Sequence, residues 1–66
     1  MRIHVDPEAD ALYLRLSETA IQDTEEVRPG VLLDFDAGGE VVGIEMRHIS
    51  TRMWPEDLRA LHFETA

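Results

Sequence analysis

From Arg2 to Met46, apolar residues recur mainly at every second position, the period of a half-buried strand. In RIHV (2–5), Ile3 and Val5 point one way and Arg2 and His4 the other. In ALYLRL (11–16), Leu12, Leu14 and Leu16 share one face, while Ala11, Tyr13 and Arg15 share the other. Pairing Val5 with Leu12 and Ile3 with Leu14 puts every aliphatic on one side. Asp6-Pro7-Glu8 then forms the turn, with Pro7 supplying a fixed φ and Asp6 placed to cap the following amides. SETA (17–20) is a connector. IQDTEEVR (21–28) is a weaker strand. Two acids, Asp23 and Glu25, share its apolar face and mark it as an edge or a frayed strand; charge on an edge discourages aggregation.

Pro29-Gly30 punctuates the chain before the hairpin VLLDFDAGGEVVGIEM (31–46). Val31, Leu33 and Phe35 meet Val42, Ile44 and Met46 on one face if the loop has an even number of residues. Gly38-Gly39 alone, or Asp36 to Gly39, satisfies this condition. A three-residue loop pairs Leu33 with Gly43 and Val31 with Glu45 and is therefore disfavoured. The second strand is expected to continue to Ile49. Beyond STRMW, Pro55 suits a first helical position, and Glu56 and Asp57 suit the positive end of the helix dipole. Leu58, Leu61 and His62 form one stripe, so a helix is expected over 55–63 with Trp54 and Phe63 as anchors.

The predicted architecture is an α+β fold in a single domain, 1–66. An antiparallel sheet of four to five strands over 2–49, mostly a meander, carries one short C-terminal helix. The expected core is Ile3, Val5, Leu12, Leu14, Leu16, Val31, Leu33, Phe35, Val42, Ile44 and Leu58 or Leu61.

Length sharpens this picture. A chain of 66 residues buries only about 60% of its unfolded surface, and such chains often add disulfides, a metal or a second subunit. There is no cysteine, which excludes disulfides and thiolate metal sites and fits a reducing cytoplasm. Fourteen acids against six bases, all arginine, give a net charge of −8. That field repels phosphate backbones and argues against direct nucleic-acid binding, while favouring a basic protein partner. The N-terminus lacks a signal-peptide core, and no apolar run approaches the roughly 20 residues of a membrane helix. A cytoplasmic, membrane-free protein is expected.

The candidate chemistry is sparse. Asp6, Glu8 and Asp10 superficially resemble a calcium loop, but Ala11 and Ser17 stand where that loop needs glycine and glutamate. Turn-forming acids at a hairpin tip explain them better. His4, Asp6, Asp10, Asp34 and Glu45 are the metal candidates. However, His4, His48 and His62 have no ligand spacing. Asp34, Asp36 and Glu45 are carboxylates on one hairpin face, suited to acid–base work only if buried. No serine or threonine lies in a nucleophile elbow, the glycines form no phosphate loop, and no cofactor is implied. Tyr13, Leu32, Val41, Trp54 and Phe63 are apolar residues left over for a partner surface.

Asp6-Pro7-Glu8-Ala9-Asp10-Ala11-Leu12-Tyr13, then Pro29-Gly30-Val31, then Asp34 to Asp36 running into Val41-Val42-Gly43-Ile44-Glu45, resemble the small bacterial proteins of domain of unknown function 2283. The resemblance spans about residues 3–50. Val5 stands where the pattern is often aromatic, and Gly38 where it is polar. The family carries no assigned catalytic residues. The resemblance implies a structural role for the DPEADALY stretch, as the hairpin that starts the sheet. It also implies a gene setting similar to toxin–antitoxin pairs with a basic neighbour.

The functional expectation is a non-enzymatic, antitoxin-like protein-binding module that takes a basic partner and self-associates as a homodimer or larger homo-oligomer. The alternatives are a metal-binding or hydrolytic domain using the His and Asp/Glu residues, and a purely structural homo-oligomer.

Overall fold

The computed structural model describes residues 1–66. Five strands form one antiparallel sheet: β1 (Arg2–Asp6), β2 (Ala11–Arg15), β3 (Asp23–Arg28), β4 (Val31–Phe35) and β5 (Val41–Arg47). A single turn of 3-10 helix (Ile49–Thr51) and helix α1 (Pro55–Arg59) follow. The spatial order is β1-β2-β5-β4-β3. Three neighbouring pairs are sequential hairpins. The fourth, β2 with β5, departs from a meander and makes a Greek-key arrangement of β2 to β5. Composition accounts for the order. DTEEVR in β3 is tolerable only at an edge, whereas VVGI in β5 has apolar or small residues for both faces, as a central strand needs.

The register sorts the residues into rows. Ile3, Leu14, Ile44 and Leu33 lie in one cross-strand row, and Val5, Leu12, Met46 and Val31 in the next. On the opposite face run Arg2, Arg15, Gly43, Asp34 and Thr24, then His4, Tyr13, Glu45, Leu32 and Glu26.

The β4–β5 loop corrects the expectation of an even length. The Asp36 N–H donates to the Glu40 carbonyl at 2.9 Å, and the Gly39 N–H to the Asp36 carbonyl at 3.0 Å. Residues 37–39 therefore form a three-residue loop, with Gly39 at φ 81° supplying the left-handed position that such loops require. A register shift at Val42 then restores the facing pairs Leu33–Ile44 and Val31–Met46. The bulge reconciles an odd loop with an even register.

Other boundaries also move. β5 ends at Arg47 rather than Ile49 because His48 turns into the left-handed region (φ 55°). Ile49 is thereby turned inward and is 1% exposed. Helix α1 spans 55–59, not 55–63, and Trp54 and Phe63 are 75% and 71% exposed, so neither anchors it. Leu58 is half-buried and Leu61 exposed, and both line a shallow groove with Ile3, Val5, Leu12 and Met53.

Burial is thin. Ala11, Val42 and Ile49 are the buried apolar residues. Ile3, Val5 and Leu16 are exposed, and Leu12, Leu14, Val31, Leu33, Phe35 and Ile44 are half-buried. A sheet needs a second layer to close a core, and a five-residue helix covers too little of it. No helix is long and apolar enough to cross a membrane.

Candidate functional site

The two faces differ in chemistry. On the polar face, Tyr13 Oη donates to Asp34 Oδ2 at 2.6 Å, and Thr24 Oγ1 donates to Asp34 Oδ1 at 2.6 Å. This ladder spans β2, β5, β4 and β3, and Gly43 is what lets it cross β5. A Cβ at Gly43 would sit 2.9 Å from Asp34 Oδ2 and closer still to the Tyr13 hydroxyl. Burial, and then the hydrogen bond to Asp34, raise the Tyr13 hydroxyl above its ordinary pKa, while the neighbouring Arg15 guanidinium opposes them. Arg15 is buried beside it, donating from Nη2 to the Thr19 carbonyl while its Nη1 has no partner. Its Nε lies 3.8 Å from Glu18. Arg2 binds Glu18 through both Nε and Nη2, and that hydrogen bonding first of all holds the Glu18 carboxyl below its usual range.

The metal candidates separate into different structural positions. Asp6 Oδ1 accepts from the Glu8 and Ala9 amides at 3.1 Å each, closing the first turn. Asp10, at φ 53°, accepts from the Ser50 amide at 3.0 Å and from Ser50 Oγ at 2.7 Å, while its carbonyl takes the Ile49 N–H. The acid-rich opening thus ties the β1–β2 turn to the segment after β5. Asp34 belongs to the tyrosine ladder. Glu45 accepts from Arg47 Nε at 3.0 Å. His4 stands on the outer strand β1, opposite Tyr13. No three His, Asp or Glu side chains converge as metal ligands.

The partner candidates are likewise not one patch. Tyr13 and Leu32 lie in one row of the polar face, on either side of Glu45. Val41 opens β5 beside the hairpin loop, while Trp54 precedes α1 and Phe63 follows it. Residue-by-residue reading did not single out Gly43, Arg15 or the Asp10–Ser50 link. The glycine at the centre of an apolar strand was the available signal for the first of these.

The aliphatic face is the larger feature. Its two rows hold eight apolar side chains, from Ile3 to Val31, none of them fully buried. In β3, which borders this face, Asp23 and Glu25 stand opposite Phe35 and Leu33, against the one cation Arg28 opposite Val31.

No curated protein and no solved structure matches the chain. The family described as Protein of unknown function (DUF2283) matches residues 2–50, about three-quarters of the sequence and all five strands. The chain belongs to that family.

Proposed function

We propose that the protein is a non-enzymatic binding module whose aliphatic sheet face docks a basic, amphipathic segment of another protein. The observation that carries this reading is the pair of apolar rows, none of whose side chains is fully buried, bordered by the acidic strand β3. The −8 charge adds a field that draws cationic chains towards that face. Such a module masks its partner's apolar surface, as an antitoxin-like protein does.

The test is a titration with a synthetic helical peptide carrying leucines on one side and arginines on the other. Binding is expected to weaken with salt, and Ile44→Asn is expected to weaken it by about tenfold. Equal affinity in the I44N variant reduces the interaction to charge alone and overturns the reading.

A further inference from the structure

The two edges of the sheet carry opposite sequence logic. β3 is acidic and its register shifts around Val27, so an antiparallel copy of itself would place glutamates against one another. The edge strand β1 reads Arg2-Ile3-His4-Val5-Asp6 without a bulge. Laid antiparallel against a second β1 about a two-fold axis at His4, it sets Arg2 opposite Asp6, Ile3 opposite Val5, and His4 opposite His4 of the other copy. Cation meets anion and aliphatic meets aliphatic at each position off the axis. One oxygen of Asp6, Oδ2, accepts no hydrogen bond, and Arg2 keeps Nη1 free beside its Glu18 contact.

From this palindromic charge pattern we infer that β1 is the seam of a homodimer, joining two five-stranded sheets into one continuous ten-stranded sheet. An axis perpendicular to the sheet keeps both aliphatic faces on the same side. It also brings the two grooves holding Leu58 and Leu61 together at the joint, because each groove includes Ile3 and Val5 of β1. The proposal goes beyond the face-docking reading above and stands or falls separately, because the seam uses the strand edge and leaves the rows of the face open.

The absence of cysteine provides a clean probe. Directly opposed residues of antiparallel strands have Cα atoms about 4.5–5.5 Å apart, within the roughly 4.4–6.8 Å that a disulfide spans. Under mild oxidation, His4→Cys is expected to give a covalent dimer, while Glu25→Cys on β3 is not. Light scattering of the unsubstituted chain is expected to give twice 7.5 kDa. Arg2→Glu and Asp6→Lys are each expected to run as monomers, and an equimolar mixture of the two as a heterodimer, because mixing restores both charge pairs. Cross-linking of H4C no faster than that of E25C, or a dimer that persists in R2E alone, overturns the seam. A monomeric mass for the unsubstituted chain does the same.

Discussion

On one side of the sheet, Tyr13, Asp34 and Thr24 hydrogen-bond to one another across the strands. On the other, Ile3, Leu14, Ile44 and Leu33 line up across β1, β2, β5 and β4 with no full layer above them. The polar face supplies its own partners. The apolar face cannot, because dispersion and desolvation gains require another surface. A small sheet can therefore look chemically rich on the side that is already satisfied, while the side without any reactive group is the one that lacks a covering layer.

The comparison breaks most sharply at Gly43. Gly43→Val should cost about 3 kcal/mol in urea unfolding, since the new side chain displaces the Tyr13 hydroxyl and Asp34 from their bond. Asp34→Ala should cost about 2 kcal/mol by leaving the half-buried Tyr13 hydroxyl without its acceptor. It should also lower the pKa of Tyr13 in an alkaline absorbance titration. The pKa of Tyr13 is raised in the fold above its ordinary 10.0, so its contribution to stability is complete below pH 10.0. That contribution should disappear as pH climbs through the higher native value, and D34A should flatten this loss. Ile44→Ala, on the open face, should cost only about 1 kcal/mol because the side chain is half-buried, yet it should weaken partner binding. Arg47→Ala should shift the urea midpoint least, by under about 1 kcal/mol, because its ion pair with Glu45 is largely solvent-exposed. A large loss there would add the Glu45–Arg47 pair to the stabilising features of the polar face.

Alternation along the chain made the strands legible, and the pairing of Val5 with Leu12 and Ile3 with Leu14 is the observed one. The acids of β3 correctly marked an edge. What alternation could not encode was the insertion of β5 between β2 and β4, since face patterns are the same for any neighbour order. The three-residue loop escaped because its compensating bulge at Val42 has no signature in a run of valines. The helix stripe was overextended because Leu61 and His62 continue the period beyond the turn that actually forms. For the site, the separate candidates Asp34 and Tyr13 were visible as residue types. Their bond was not, because it depends on which strands become neighbours and on the missing side chain at Gly43. The aliphatic rows were expected to be a helix-covered core, with Tyr13, Leu32, Val41, Trp54 and Phe63 left for a partner; the rows stay open instead because α1 is only five residues long.

The central place of β5 also has a consequence for how the protein is made. During synthesis, β1–β2 emerges as one hairpin and β3–β4 as another. Neither hairpin has a neighbour until residues 41–47 have left the ribosome, because β5 alone joins the halves. Isolated two-stranded hairpins are marginal in water. The chain therefore assembles late and in one step, with the last strand translated acting as the keystone for all those before it.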